Sequence, residues 1–152
     1  MINLTLISHI KGAPLFRNFG LGPNLIPVNA IQQLQKLLDK NSFWAMNRSK
    51  KELRTMIEKS STVVTLWNEN KLIGFGRATS DWTYRASLWD IVVDEKHQKS
   101  GLGKLVVNAL LQSSSLKNVE RIYLMTTNSK EFYTSCSFKE VTNQTLLLKI
   151  KN

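Results

Sequence analysis

The chain has 152 residues, 42% hydrophobic and 21% charged, and its formal net charge at pH 7 is +10. This length and composition predict one globular domain over residues 1–152 and exclude a fibrous or disordered chain. One cysteine excludes an intramolecular disulfide, two histidines argue against a zinc site, and no apolar run reaches the ~20 residues that cross a bilayer. We therefore expect no metal and no membrane association.

The basic residues are spread along the chain, which argues against nucleic-acid binding as the main role. They occur on one predicted helix (48–54), at a glycine loop (96–104) and at the C-terminus. This distribution predicts a solvated basic surface that attracts a polyanionic small molecule. Since the N-terminus does not have the pattern of a secretory signal, we expect a cytoplasmic protein, or the equivalent compartment of an organelle that encodes the gene.

The chain begins with a predicted strand and helix. Ile2–Ile10 alternates loosely, as a strand does, and residues 11–27 are predicted to form an irregular connection because glycine and proline recur there. Apolar residues at helical spacing follow Asn29, a residue type favoured at N-caps, and predict a helix over about 29–40.

A second helix, ending near Ser60, is predicted from the capping-box sequence Ser49-Lys50-Lys51-Glu52 and the apolar face that follows it. Phe43 and Trp44 lie between the two helices. The interpretation that we favour is packing in the core between the helices. The alternative is one wall of a binding pocket.

Three strands are predicted next. Thr62–Trp67 and Leu72–Thr79 are β-rich runs, and Asn68-Glu69-Asn70-Lys71 between them predicts a hairpin. After a polar segment over 80–85, the apolar run from Ser87 to Val93 predicts a central strand.

The last third of the chain continues with alternating elements. In order, they are a helix over 102–113, a strand over Arg121–Met125, a short helix capped by Asn128 with Glu131 at N3, and a hairpin of Phe138–Val141 with Gln144–Ile150. The complete order is β-α-α-β-β-β-α-β-α-β-β. It predicts a mixed, mostly antiparallel sheet with helices on both faces.

The central strand leads through a glycine loop into a helix. The loop reads Gln98-Lys99-Ser100-Gly101-Leu102-Gly103-Lys104. The first N–H groups of such a helix have no partner in the helix, so they bind anions, and the two glycines let the backbone approach a phosphate closely. A P-loop is excluded by Gln98 and Leu105, and a dinucleotide-binding loop by Val106, because each stands where those motifs require another residue.

At these residues the chain resembles the GNAT superfamily of N-acetyltransferases, whose acetyl-CoA loop reads Arg/Gln-x-x-Gly-x-Gly/Ala. The segment 128–138, Asn-Ser-Lys-Glu-Phe-Tyr-Thr-Ser-Cys-Ser-Phe, is similar to the second signature of that family. The resemblance implies an α/β (α+β) fold with a twisted, mixed sheet in which two central parallel strands splay apart. It also implies acetyl-CoA as co-substrate, a small-molecule amine as acceptor, and a monomer or homodimer.

The resemblance assigns roles to named residues. Those assigned to acetyl-CoA are Ile91, Val92, Val93, Gln98, Lys99, Ser100, Gly101, Leu102, Gly103, Lys104, Asn128 and Tyr133. The backbone near Ile91 would also stabilise the oxyanion of the reaction, and Tyr133 would protonate the departing thiolate. Two positions depart from the family: Ser137 stands where glycine is frequent, and Ser87 where a glutamate base is frequent.

Transfer to an amine requires a base, because an amine with a pKa near ~10.4 is mostly protonated at neutral pH. Asp90, on the central strand, is the first candidate, and Asp81, at the end of the preceding strand, is the second. Each would need a raised pKa. The alternatives are a carboxylate paired with a basic residue for Asp90 and a turn aspartate for Asp81.

The acceptor is predicted from a narrower resemblance. Residues 74–81 and 89–94 look like the cyanobacterial and plastid-type acetyltransferases, which include arylalkylamine (serotonin) N-acetyltransferases, and a plastid-encoded protein would act in the stroma. The aromatic residues that could form a cage for such an amine are Phe43, Trp44, Trp82, Tyr84 and Trp89. A lysine or N-terminal acetyltransferase of proteins, and a non-catalytic CoA-binding module, are the alternatives.

Overall fold

A five-stranded sheet forms the centre of the computed structural model, which describes residues 3–10 and 20–151. The elements in chain order are β1 (Leu4–Ile10), α1 (Ala30–Asn41), α2 (Lys50–Lys59), β2 (Thr62–Asn68), β3 (Lys71–Ser80), β4 (Arg85–Val93), a 3-10 turn (Glu95–His97), α3 (Leu102–Gln112), β5 (Arg121–Tyr123) and α4 (Lys130–Thr134).

The strands lie side by side in sequence order, and only the last pair is parallel. β1 to β4 form antiparallel pairs, whereas β4 and β5 pair in parallel and are connected through α3. A parallel connection needs a crossover, and α3 provides it. The predicted mixed, mostly antiparallel sheet is confirmed.

Two apolar cores cover the two faces of the sheet. One contains the buried faces of α1 and α2, and the other contains that of α3. Consecutive strand residues serve opposite cores, as with Val63 and Val64 or Val92 and Val93, because side chains alternate across a strand. Helices on both faces are therefore confirmed.

The two helix starts differ from each other. The capping box before α2 is confirmed: the Ser49 side chain accepts the Glu52 N–H, and the Glu52 carboxylate accepts the Ser49 N–H. Asn29 does precede α1, but it adopts a left-handed φ of 52° and makes no side-chain cap. Gln33 is tied to this start instead, through its side-chain N–H and the Val28 carbonyl at 2.9 Å.

The predicted hairpin of β2 and β3 is confirmed, with Glu69 in the left-handed region at its turn. Part of the predicted irregular connection, residues 11–19, lies outside the described residues, as does Ile2 of the first strand. Over residues 20–27 the chain is irregular except for one isolated bridge between Leu21 and Pro27.

The predicted core position of Phe43 and Trp44 is wrong. Their rings contact each other edge to face, with centroids 5.1 Å apart, but 64% and 49% of these residues is exposed. Ser42 and Ala45 are the buried residues of this segment. Since α1 ends at Asn41 and α2 begins at Lys50, the connection between them is long enough to place its rings at the surface.

The C-terminal part of the chain differs most from the prediction. β5 ends at Tyr123, residues 138–151 form no strand, and the N-cap of α4 is Ser129, so the predicted cap at Asn128 is wrong. Leu146, Leu147 and Leu148 are 72%, 87% and 82% exposed. A three-residue β5 offers only a short edge for further pairing, which is why alternating apolar residues here do not suffice to form a hairpin.

Candidate functional site

The parallel strands β4 and β5 diverge and leave a cavity between them. Their pairing runs from Arg85 and Arg121 to Ser87 and Tyr123, and beyond it β4 continues to Val93 paired with β3 only. A cavity of about 390 Å³ lies at this divergence. Its lining residues are Trp44, Leu88, Trp89, Asp90, Ile91, Leu124, Met125, Thr126, Thr127, Asn128, Ser129, Tyr133 and Leu146.

A β-bulge forms the wall of this cavity on β4. Phe75 pairs with Val92 and Arg77 pairs with Trp89, so Gly76 alone lies opposite both Asp90 and Ile91. Such a bulge interrupts the regular ladder and changes the direction of the side chains next to it. Asp90 accordingly has a φ of 52°, a strained value for a residue other than glycine.

Gly76 lies opposite the bulge, and α3 packs directly on its backbone. A Cβ at this position would lie 2.8 Å from Val106 Cγ1 and 3.1 Å from Leu110 Cδ1. These contacts are shorter than van der Waals distances, so a side chain here would force α3 away from the sheet.

We predict that Gly76→Ala lowers the free energy of unfolding by about 2 kcal/mol, the usual cost of overpacking a core. Urea denaturation would measure this change. In a double-mutant cycle, Val106→Ala should be less costly in the Gly76→Ala background, because it removes the methyl group that the new Cβ meets. Purely additive changes would contradict the contact as the cause.

Asp90 is an ion-paired carboxylate. Its Oδ2 accepts hydrogen bonds from Arg77 Nε at 2.7 Å and from Arg48 Nη1 at 3.0 Å, and its side chain is 5% exposed. Burial opposes ionisation, but the hydrogen bonds and charges of the two arginines together hold the pKa of Asp90 below its usual value. The base role of Asp90 needs the opposite shift, and it stays a prediction.

Asp81 lies in the turn between β3 and β4 and does not line the cavity. Its Oδ1 accepts the backbone N–H groups of Thr83, Tyr84 and Arg85 at 2.7 to 2.9 Å. These hydrogen bonds, that of Arg85 first, lower the pKa of the exposed Asp81 carboxyl. The geometry is that of a turn aspartate, which was the structural alternative to its base role.

The five predicted cage aromatics are not gathered around one point. Trp44 and Trp89 line the cavity, while Phe43, Trp82 and Tyr84 are outside its lining and are 64%, 50% and 60% exposed. Two contacts fix the side chain of Trp89: its indole N–H donates to Thr79 Oγ1, and the Arg77 guanidinium lies 5.8 Å from its ring centroid.

The glycine loop follows β4 directly and is tied back to it. Gln98 donates its side-chain N–H to the Val93 carbonyl at 2.9 Å, so this residue positions the loop. Gly101 precedes α3 with a φ of 83°, and a Cβ there would meet no heavy atom within 4 Å. The loop is therefore open beside the first N–H groups of α3, and Lys99, Ser100 and Lys104 are exposed around it.

The structure gives a packing reason for the second glycine of the loop. A Cβ on Gly103 would lie 3.0 Å from Phe132 Cζ, so this glycine lets α4 pack against α3. Leu102 is buried in the core on the α3 face of the sheet. Phe132 precedes Tyr133, and the two rings contact edge to face with centroids 4.9 Å apart.

Tyr133 lines the cavity on the side of α4 and packs between Phe132 and Phe138. Burial, with a smaller contribution from Cys136, raises the pKa of Tyr133 to about 12. Its hydroxyl therefore keeps its proton at neutral pH. Asn128 lines the same cavity. Ser137 takes a φ of 69° without being glycine, so the departure noted there is a strained turn.

Several residues of the site were missed by the sequence analysis. Arg48 and Arg77 reach Asp90 from 42 and 13 positions away, and Leu124–Thr127 and Leu146 line the cavity. A bulge that directs Asp90 toward two arginines has no local sequence signal. A cavity lined by the segment after a strand could have been expected once two parallel strands were predicted to splay.

Comparison with known proteins gives one family match. Residues 31–138 match the model of the acetyltransferase (GNAT) family. The N-acetyltransferase ycf52 of Gracilaria tenuistipitata var. liui is 32% identical over 125 residues, covering 80% of this chain and 66% of that protein.

Two plant relatives match shorter parts. The GCN5-related N-acetyltransferase 2, chloroplastic, of Arabidopsis thaliana is 38% identical over 72 residues, 47% of this chain and 28% of its own length. The histone acetyltransferase TAP1 of Glycine max is 38% identical over 74 residues, 47% of this chain and 32% of its own length. The chain thus spans two thirds or less of each of these relatives.

Solved structures share the fold. A probable acetyltransferase from meticillin-resistant Staphylococcus aureus superposes with a TM-score of 0.72 and 16% identity, covering 99% of this chain and 100% of that one. Within residues 3–10 and 20–151, no helix is long and apolar enough to cross a membrane, and no three metal-binding side chains form a group.

Proposed function

Because the chain belongs to the acetyltransferase (GNAT) family, we propose that it transfers the acetyl group of acetyl-CoA directly to a primary amine. The observation that carries this proposal is the cavity where β4 and β5 diverge. It joins the β4 bulge, Asn128 and Tyr133 in one space, at the end of the strand that leads into the glycine loop.

The loop has the features that the pyrophosphate of acetyl-CoA requires. Gly101 leaves open space beside the N-terminus of α3, and residues Lys99 and Lys104 add positive charge at the surface. Gln98, held on the Val93 carbonyl, keeps the loop in this position. The pantetheine arm would then run along the backbone of Ile91 to Val93 toward the cavity, with Asn128 on the opposite wall.

The reaction is acyl transfer without a covalent enzyme intermediate. The amine nitrogen attacks the thioester carbonyl carbon, a C–N bond forms, and the C–S bond breaks. Negative charge develops on the carbonyl oxygen, where a backbone N–H freed by the bulge at Asp90 and Ile91 would stabilise it. The ammonium form of the acceptor first loses one proton to a base or to water, which frees the amine for attack. After attack the nitrogen loses a second proton. The hydroxyl proton of Tyr133 passes to the departing thiolate, and the tyrosinate is reprotonated by that second proton, directly or through water, so each turnover yields the amide, CoA thiol and one released proton.

The lowered pKa values of the two candidate carboxylates limit what can be proposed for the base. A direct base should have a pKa near the working pH, whereas the pKa values of Asp90 and Asp81 are both lowered. Of the two, Asp90 is on the cavity, and its Oδ1 could order a water that accepts the proton. We propose this relay for Asp90 and no catalytic role for Asp81.

For the acceptor we propose an arylalkylamine such as serotonin. Trp44 and Trp89 are the two aromatic residues of the predicted cage that line the cavity, and Asp90 lines it as well. A flat ring between two indoles would bury apolar area while its amine reaches β4. This proposal depends on two aromatic walls, since Phe43, Trp82 and Tyr84 are outside the cavity lining.

A protein or peptide acceptor is the second candidate. It is supported by the exposed Phe43 and Met46 beside Trp44, which extend an apolar surface beyond the cavity, and by the description of the soybean relative as a histone acetyltransferase. For location we propose the plastid stroma or the cytoplasm, since one relative is described as chloroplastic. The association state, monomer or homodimer, stays a prediction.

Release of CoA thiol from acetyl-CoA across a panel of acceptors tests these proposals. The panel is serotonin, tryptamine, tyramine, a polyamine, a lysine peptide and a peptide with a free N-terminus. Release with the aromatic amines alone would support the arylalkylamine proposal, and release with peptides alone would replace it by the second candidate. Binding of acetyl-CoA without turnover of any acceptor would contradict the proposed enzyme.

We predict that Trp44→Ala raises KM for the aromatic amine about tenfold, the effect of losing roughly 1.4 kcal/mol of ring contact, and leaves KM for acetyl-CoA unchanged. Steady-state kinetics would measure both constants. Trp82→Ala is the matched control, because Trp82 is equally exposed but lies outside the cavity lining. Equal effects of the two substitutions would remove Trp44 from the acceptor site.

A further inference from the structure

Three charged side chains from different parts of the chain meet behind the cavity. Arg48 comes from the connection between α1 and α2, Arg77 from β3, and Asp90 from the β4 bulge. Both arginines donate to the same oxygen, Asp90 Oδ2. The side chains of Arg77 and Asp90 are 16% and 5% exposed, so this cluster is screened from water more than a surface ion pair is.

One arginine contacts an aromatic wall of the cavity, and the other belongs to the segment that carries the second wall. Arg77 lies against the ring of Trp89, with its guanidinium carbon 5.8 Å from the centroid. Arg48 follows Trp44 by four residues in the same connection, and both Trp44 and Trp89 line the cavity. The carboxylate of Asp90 therefore connects β4 to the Arg77–Trp89 contact and, through Arg48, to the segment that carries Trp44.

The connection that carries Trp44 also makes other hydrogen bonds: Ser49 is tied to α2 through its capping box, and residues 47 and 48 are tied to α1. The Asn47 N–H donates to Asp39 Oδ1 at 2.8 Å, and Gln35 Nε2 donates to the Arg48 carbonyl at 2.9 Å. These two bonds fix residues 47 and 48 relative to α1. The Arg48 guanidinium is what joins the same residues to the β4 bulge, and it also contacts Met56 Sδ of α2 at 3.3 Å.

We propose that Arg48 is a positioning residue for the acceptor: its ion pair with Asp90 sets the distance between the Trp44 wall and the β4 bulge. The inference rests on the proposed function only where acceptor binding is measured. Without the ion pair, residues 42–49 remain attached to α1 but move relative to β4. The acceptor then loses the Trp44 wall, whereas the loop over residues 98–104 and the β4 segment from Ile91 to Val93 keep their contacts.

The test compares Arg48→Met, Arg48→Lys and Arg54→Gln. Methionine keeps an apolar stem without the charge, lysine keeps the charge and can still reach Asp90, and Arg54 is an exposed arginine of α2 that takes part in none of the ion pairs of the described residues. The readouts are amide hydrogen exchange over residues 42–49, the Kd of acetyl-CoA, and KM for the acceptor identified in the panel.

With Arg48→Met we expect about tenfold faster exchange over residues 42–49, an acceptor KM raised by at least about fivefold, and an acetyl-CoA Kd within twofold of the original chain. Arg48→Lys should retain most of the exchange protection of the original chain, and Arg54→Gln should change none of the three values. A merely structural bridge would not separate the two substrates in this way.

Two results would overturn the inference. Unchanged exchange over residues 42–49 in Arg48→Met would show that the ion pair does not hold this connection, whatever the chain catalyses. Faster exchange with an equal loss of acetyl-CoA binding would show that the bridge supports the whole site and not its acceptor wall. Exchange and cofactor binding need no turnover, so they decide the question even if every acceptor of the panel fails.

Discussion

Replacing Tyr133 by phenylalanine is expected to lower kcat by about 100- to 1000-fold, the usual contribution of a general acid, with little change in acetyl-CoA binding. The ring keeps its edge-to-face contacts with Phe132 and Phe138, because these contacts do not involve the hydroxyl. The departing thiolate then loses the Tyr133 hydroxyl as its proton donor. Steady-state kinetics and calorimetric binding of acetyl-CoA would measure the two effects.

The raised pKa of Tyr133 gives this prediction a second test. With a pKa of about 12, the hydroxyl stays protonated up to about pH 11, so ionisation of Tyr133 should cause no loss of turnover below that pH. An alkaline loss near pH 9 would have to come from another group.

Tyr123→Phe is the matched control for the Tyr133 substitution. Tyr123 is half-buried on β5 and is outside the cavity lining, so its hydroxyl should not affect turnover. If Tyr133→Phe retained more than half of the original kcat, the acid role would be wrong and water would be the proton donor. If it weakened acetyl-CoA binding as strongly as turnover, the hydroxyl would be a cofactor-binding group.

Asp90→Asn is expected to lower the free energy of unfolding by about 3 kcal/mol at pH 7, because removing one member of a buried ion pair leaves its partners uncompensated. Here two guanidinium groups, of Arg48 and Arg77, lose their shared carboxylate. Urea denaturation would measure the change. Glu58→Gln is the control, since the exposed pair of Glu58 with Lys59, at 4.0 Å, should contribute almost nothing.

The stability difference between the original chain and Asp90→Asn should depend on pH in one direction. The pKa of Asp90 is lower in the folded chain than in the unfolded chain, so between the two values the unfolded state binds more protons. The contribution of Asp90 is therefore complete above the unfolded pKa, about 4, and is lost as the pH falls through the folded value. A difference that stayed constant down to pH 2 would contradict the ion pair.

The same variant separates the two roles considered for Asp90. A base with this lowered pKa would produce an acidic limb of the pH–rate profile below about pH 4, and that limb would vanish in Asp90→Asn. If the limb lies near neutral or alkaline pH and persists in the variant, it belongs to the acceptor amine. Asp90 would then act by fixing the bulge and Arg48.

The features that depend on neighbours in the chain could be predicted from the sequence. The capping box at Ser49 and Glu52, the β2–β3 hairpin, and the succession of β4, glycine loop and α3 follow from spacing and residue type over a few positions. Gly101 was predicted, from the same local pattern, to let the backbone approach a phosphate, and in the structure it precedes α3 with a positive φ. These local patterns also carried the resemblance to the family that the comparisons establish.

Only the tertiary structure decided which distant residues share a site. Arg48 and Asp90 are 42 positions apart, and they meet because the β4 bulge directs the carboxylate toward the connection after α1. The place of Trp44 on the cavity, away from Trp82, depends on strand order and loop length. Gly103 faces Phe132 because α4 packs on α3. Sequence spacing specifies which face of an element a side chain takes, but the partner across that face is set by packing between elements.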